Sequence, residues 1–226
     1  MNSTIYVILT TYKRQELAVK TIKGVVDWAR YSDGIHWIVC DDGSGDDYMS
    51  PLFEAIGGRL AGVVEGNRHG VGYMMNRAIE QVQALGGQLM FFLEDDWELR
   101  TEHDFSLDAS ILLNDHSVGM VRYGYLSPGL NATLVANSNK LYWKVEPNGY
   151  QYRFTGHPSL RHIRFHQAYG MYAEGLTPGQ TELDFCARVN AGRVYDPCIY
   201  ITAYQPYGIF HHIGAESLGN IEPERK

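Results

Sequence analysis

The chain has 226 residues, 45% of them apolar, with 26 acidic and 19 basic side chains and a formal net charge of −7. A chain of this length buries about 70% of its unfolded surface, so folding requires neither disulfides nor a structural metal, and the composition excludes intrinsic disorder. The acidic balance argues against a large basic nucleic-acid face, and no apolar run approaches the roughly 20 residues that span a bilayer.

Ile5 to Leu9 is a short β-branched run with the pattern of a buried strand. Leu17, Thr21, Val25 and Trp28 recur at helical spacing through Arg30. Trp37 to Cys40 predicts a second buried strand, closed by the turn Asp41-Asp42-Gly43-Ser44-Gly45. Met49 to Ile56 predicts a short helix and Gly62 to Glu65 a third strand. Val71, Met74, Met75, Ala78, Ile79, Val82 and Leu85 mark one face of an amphipathic helix that Gly86-Gly87 stops, and Leu89 to Leu93 is a fourth buried strand. Residues 118 to 165 are rich in Tyr, Gly and Asn and predict a meander or hairpins, including Tyr142 to Val145 and Tyr150 to Thr155. Thr181 to Asn190 reads as a helix with Thr181 at its N-cap, and Cys198 to Tyr204 as a last strand.

Strands alternating with helices of this length predict an α/β chain with a Rossmann-like, mostly parallel central sheet. No low-complexity linker or internal repeat interrupts it, so a single domain over residues 1–226 is expected. The N-terminus lacks a basic stretch, and the apolar run behind it is too short for a signal peptide. Cys40, Cys186 and Cys198 are odd in number and show no paired spacing. Reduced thiols and a cytoplasmic location are therefore expected, with no integral membrane association.

Ligands in such sheets bind at the carboxyl ends of the strands, where Asp41, Asp42, Glu94, Asp95 and Asp96 gather here. Clustered carboxylates repel unless a cation neutralises them, and a divalent metal between carboxylate and phosphate oxygens would do so. The plainer alternative for Glu94-Asp95-Asp96 is a solvated acidic turn, and for Asp41-Asp42-Gly43-Ser44 an Asx-turn. His211-His212 offers imidazole for a transition metal. Glu182 would lie in the first turn of its helix, with Arg188 about two turns on, as a capping acid or a general base. Tyr142, Trp143, Tyr150 and Tyr152 are either core residues or platforms for a sugar or base. No GxxxxGK phosphate loop, GxGxxG, HExxH or GxSxG occurs.

In this order and spacing the motifs resemble the glycosyltransferase A (GT-A) fold and, within it, family 2 of the inverting glycosyltransferases. Ile5 to Arg14 is similar to the family's first strand and threonine-tyrosine loop, and Val39 to Ser44 to its second-strand motif. The segment from Asn67 to Asn76 resembles its helix start, and Phe91 to Asp96 its DxD metal motif. Gly170 to Glu174 and Thr181 to Arg188 fall where the family has its Gly-Gly-Phe-Asp-Glu and Glu-Asp-x-Asp segments.

The resemblance implies a donor nucleoside diphosphate sugar, with uridine as the expected nucleotide, and an acceptor hydroxyl of unnamed chemistry. It sets Thr10, Asp41, Asp42 and Arg68 around the base, Asp95 at the ribose, and Asp96 with one of the two histidines, His212 ahead of His211, on a divalent metal, manganese or magnesium. Residues 1–97 would hold the donor and residues 98–226 the acceptor. Setting Arg188 on the family's arginine makes Glu182 the catalytic base, longer by one methylene than the usual aspartate, with Asp184 next in line. The Gln-x-x-Arg-Trp motif of processive members has no equivalent at Gln205-Pro206-Tyr207-Gly208, so a single addition is implied. A retaining enzyme of the same fold and a non-catalytic nucleotide- or glycan-binding module are the alternatives.

Overall fold

A computed structural model describes residues 2–124, 131–137, 140–146, 153–191, 198–202 and 208–214. The first half alternates strand and helix. β1 (Asn2–Thr11) leads through α1 (Gln15–Trp28) and the short β2 (Ala29–Arg30) to β3 (Ile35–Asp41). α2 (Asp46–Ile56) then precedes β4 (Leu60–Glu65), and α3 (Val71–Ala84) precedes β5 (Gly87–Glu94). Gly86, at a φ of +69°, ends α3 in the left-handed conformation that glycine adopts without penalty. The helix expected to reach Arg30 stops at Trp28, because Ala29 and Arg30 pair in parallel with β7 (His103–Asp104).

β6 (Trp97–Leu99) and α4 (Ser106–Asn114) flank β7 in sequence. The second half continues with β8 (Val118–Arg122), β9 (Ala132–Asn137), β10 (Lys140–Val145) and β11 (Ser159–His162). It ends in α5 (Ile163–Tyr169), α6 (Pro178–Ala191), β12 (Cys198–Thr202) and β13 (Phe210–His212). The expected hairpin is present as β9 and β10, which pair antiparallel. The run from Tyr150 to Thr155 behaves differently: residues 153–155 are not strand, and 150–152 lie outside the described residues. The last strand is described as far as Thr202, and residues 203 and 204 also lie outside.

Among the described residues, nine strands form one sheet in the order β4-β3-β1-β5-β11-β8-β12-β10-β9. The first four run parallel, and beyond them β11 enters antiparallel to both β5 and β8. Strand parity sorts the core. Ile5, Val7 and Leu9 pack on one face against Ala18 and Ile22 of α1 and Leu52 of α2. Tyr6 and Ile8 pack on the other face, against Met74, Ala78 and Val82 of α3 and Phe185 of α6.

The chain runs from β1 outward to β3 and β4, then returns to place β5 on the opposite side of β1. This reversal makes the carboxyl ends of β1 and β5 a topological switch point, the place where open α/β sheets take ligands. Thr10 and Glu94 are register partners across that point.

Candidate active site

A cavity of about 690 Å³ opens at the switch point. Thr10 and Glu94 line it from the strand ends, Glu182 from α6, Gly156 and His157 from the loop before β11, and His211 and His212 from β13. Its lining also includes Arg161, which is 1% exposed. The guanidinium carbon of Arg161 sits 3.9 Å from the Phe92 ring centre, its Nε donates to Ser159 Oγ at 3.0 Å, and it bonds the Tyr172 hydroxyl. A guanidinium survives this burial because aromatic faces and hydrogen bonds replace water around it.

The acidic cluster divides by direction. Glu94 shares strand parity with Phe92 and turns into the cavity. Its carboxyl is raised to about 7 by burial, reinforced by the charges of Asp96 and Glu182. Asp95 turns the other way and is fully buried: its Oδ2 accepts from Thr11 Oγ1 at 2.8 Å, its backbone oxygen accepts from Thr21 Oγ1 at 2.9 Å, and its Oδ1 is paired with Arg14. Burial outweighs these contacts and raises its carboxyl to about 6.

Asp96 lies beyond the strand, where β13 closes over it. Ile213 N donates to the Asp96 carbonyl at 2.8 Å, and the register sets His212 opposite Trp97. His212 Nε2 then falls 3.3 Å from Asp96 Oδ2. Burial opposes the charge on Asp96, but the contacts from His212 and Arg14 win and hold its carboxyl below the ordinary range. The hydrogen bond to Asp96 correspondingly raises the His212 imidazole. A Cβ at Gly214 would lie 2.5 Å from Asp96 Oδ2, so glycine there keeps the carboxylate edge open. His211 pairs instead opposite Glu98.

The Asp41-Asp42 turn uses its own carboxylates. Asp41 Oδ2 accepts from Ser44 N at 2.7 Å and from Gly43 N at 3.3 Å, which is the Asx-turn geometry. Asp42 accepts from the backbone of His69 at 2.9 Å and of Gly70 at 3.0 Å, and so fixes the loop that enters α3. Arg68 is exposed in that loop at a φ of +60°. Asp41, Asp42 and Arg68 thus stand beside the cavity rather than in its lining.

Glu182 Oε1 accepts from Gly156 N at 2.7 Å, which anchors one carboxylate oxygen at the cavity wall. The helix carrying it starts three residues earlier than the sequence predicts. Thr177 and Gln180 form the capping box: Thr177 N donates to Gln180 Oε1 at 3.1 Å and Gln180 N to Thr177 Oγ1 at 3.4 Å, with Pro178 as first helical residue. Thr181 is therefore interior and buried, and Glu182 lies in the second turn. Arg188 binds Asp184 Oδ2 through Nη2 at 2.7 Å and donates through Nη1 to the carbonyls of Tyr169 and Met171 at 2.8 and 2.7 Å. Asn76 holds the same segment from α3, donating to the Tyr172 carbonyl at 3.0 Å and accepting from Tyr172 N at 2.8 Å. Three sequence motifs thus meet at one loop.

Tyr142 is core and not a platform: it is fully buried, bonds Asp108 and packs 5.4 Å from the Tyr200 ring. Tyr150 and Tyr152 lie outside the described residues. The sequence alone gives no individual role to Glu94, Arg14 or Arg161. Parity with Phe92 singles out Glu94, whereas only the fold brings the two arginines to the site.

The family model described as glycosyl transferase family 2 matches residues 6–170. The chain belongs to this family. Its fold is the GT-A fold. The crystal structure of S. aureus TarS 1-349 is 16% identical, with a TM-score of 0.65 over 95% of this chain and 62% of that one. The same protein in complex with UDP-GlcNAc gives a TM-score of 0.63 at 16% identity, over 94% of this chain and 61% of that one. The mannosyltransferase PcManGT from Pyrobaculum calidifontis, in complex with GDP-Man and Mn2+, gives 0.55 at 16% identity, over 88% of this chain and 56% of that one. The chain therefore spans less than two thirds of these neighbours. No curated protein matches it in sequence. Among the described residues no helix is long and apolar enough to cross a membrane.

Proposed function

We propose that the enzyme moves one sugar from a uridine diphosphate sugar to an acceptor hydroxyl with inversion, within one domain whose residues 1–97 hold the donor and residues 98–226 the acceptor. The observation that carries this reading is the cavity at the switch point, with Thr10 and Glu94 on the strand ends and Glu182 opposite on α6. Thr10 contacts the donor there, Asp41 and Asp42 shape the adjoining base pocket, and Arg68 stands at its rim. Glu94 takes the ribose-facing role that the resemblance implies for Asp95, whose side chain is engaged by Thr11 and Arg14. Two buried free thiols, Cys40 and Cys186, support a reducing, cytoplasmic compartment.

Among the described residues no three metal-ligating side chains cluster, but Asp96 and His212 form a pair that a divalent metal could join. Asp96 Oδ1 is buried without a hydrogen-bond partner, and an imidazole nitrogen stands 3.3 Å from the other oxygen. One oxygen and one nitrogen donor suit manganese, with magnesium as the harder alternative. Asp96 and His212 would hold it, and the metal would supply Lewis-acid stabilisation of the departing diphosphate. Glu182, anchored through one oxygen on Gly156, takes the proton of the acceptor hydroxyl with the other as that hydroxyl attacks the anomeric carbon from the face opposite the diphosphate.

A uridine diphosphate sugar with manganese, at about 100 times its dissociation constant, should raise the unfolding temperature by about 5–10 °C. A chelator should remove most of that rise. Equal shifts with and without chelator would exclude the metal from donor binding. His212→Ala should lose the manganese-dependent part of the shift and His211→Ala should keep it, because only His212 reaches Asp96. The reverse pattern would move the ligand to His211.

A further inference from the structure

Arg14 immediately precedes α1, with its guanidinium about half exposed. Its two terminal nitrogens reach both buried carboxylates of the acidic cluster, one pairing with Asp95 Oδ1 and the other with Asp96 Oδ2 at 2.7 Å. Asp96 Oδ2 is the same oxygen that His212 approaches. A divalent cation held by Asp96 and His212 therefore meets a resident positive charge on its own ligand, and two cations at that separation repel strongly.

One partner has to yield. Asp95 is locked by Thr11 and is fully buried, whereas Arg14 has a long side chain and open solvent beside it. A planar guanidinium binds phosphate oxygens as readily as a carboxylate. Building on the reading of Asp96 and His212 as metal ligands, we propose that Arg14 is an exchangeable cation: it holds Asp95 and Asp96 in the free protein, releases Asp96 when the donor arrives, and takes up a diphosphate oxygen. Metal and nucleotide then bind as a coupled pair, because the nucleotide draws away the group that competes with the metal. Such coupling is reciprocal and typically amounts to about 5–150-fold.

The test is a titration of manganese alone and with UDP, read from the paramagnetic resonance of unbound metal, so that no sugar transfer is involved. UDP should tighten manganese binding to the native protein by about 5–150-fold. Arg14→Met and Arg14→Gln should each bind manganese alone more tightly than the native protein, by a factor within that range, and should gain correspondingly less from UDP. Lys13→Met removes an equal charge from a side chain that lies 5.2 Å over the Tyr12 ring, and should leave both values near native. If neither Arg14 variant gains affinity, or if Lys13→Met gains as much, the exchange is refuted. Asp96→Ala separates the two readings: manganese binding indifferent to it removes the metal assignment itself. Manganese binding to none of the proteins, with or without UDP, would overturn both.

Discussion

Glu182→Gln should lower turnover by about 10²–10⁴-fold, the range that a positioned general base contributes, with donor binding unchanged. Glutamine keeps the length of the side chain and an oxygen able to accept from Gly156 N, now at 2.7 Å. What it loses is the carboxylate proposed to take the acceptor's proton. The signature is a fall in kcat without a matching loss of donor affinity, since the proposed donor contacts are at the strand ends and β13. Glu182→Asp should keep part of the activity, its carboxylate set back by one methylene. Asp184→Asn should act mainly on stability, because Asp184 is engaged by Arg188 through two nitrogens at 2.7 and 3.1 Å. A native rate in Glu182→Gln would refute the base assignment and pass the role to Glu94, the other carboxylate facing the cavity. The anomeric configuration of the product, followed by NMR before mutarotation, separates inversion from retention.

The first half was legible because its signals are local. Buried parallel strands appear as continuous apolar runs, Gly86 stops α3, and the acidic turns mark strand ends directly. The second half obscures these signals. All four residues of β11 are buried, Arg161 and His162 among them, so the segment Ser-Leu-Arg-His carries no apolar run and no alternation. Its place between β5 and β8 is set by partners far away in sequence. The sequence sets the start of α6 too late because Pro178-Gly179 looks like loop sequence. A proline at the first helical position behind a threonine cap is nonetheless favourable.

The site shows the same division. Asp96 and His212 are over a hundred positions apart in sequence, and the pairing of β6 with β13 is what joins them. The family resemblance sets Asp95 at the ribose from its position in the motif alone, without strand parity. That parity turns Glu94 into the cavity and Asp95 into the protein.

Asp108→Ala should lower the unfolding temperature by about 6–20 °C, from the roughly 3–5 kcal/mol lost when one partner of a buried ion pair is removed, at about 2–4 °C per kcal/mol for a chain of this size. Asp108 on α4 is fully buried and collects four donors, two of them from β10. His103 Nε2 and the Tyr123 hydroxyl each lie 3.0 Å from Oδ2, Tyr142 donates to Oδ1 at 2.6 Å, and Lys140 Nζ reaches both oxygens at 2.7 and 2.9 Å. The carboxylate thus ties β7, α4, the end of β8 and β10 together, and alanine offers these groups no acceptor. Asp108→Asn retains an acceptor but not the charge facing Lys140, and should cost less. Burial works against ionisation of Asp108, but the bonds from His103 and the charge of Lys140 outweigh it and depress its pKa. A depressed carboxylate adds stability above its unfolded-state pKa and loses it as pH falls through the folded value. The gap in unfolding temperature between the native protein and Asp108→Asn should therefore narrow in acid. Thermal unfolding followed by circular dichroism across pH checks both statements. An unchanged unfolding temperature in Asp108→Ala at neutral pH would show that the four donors find other partners without loss, and would remove Asp108 as the anchor of the β9–β10 hairpin.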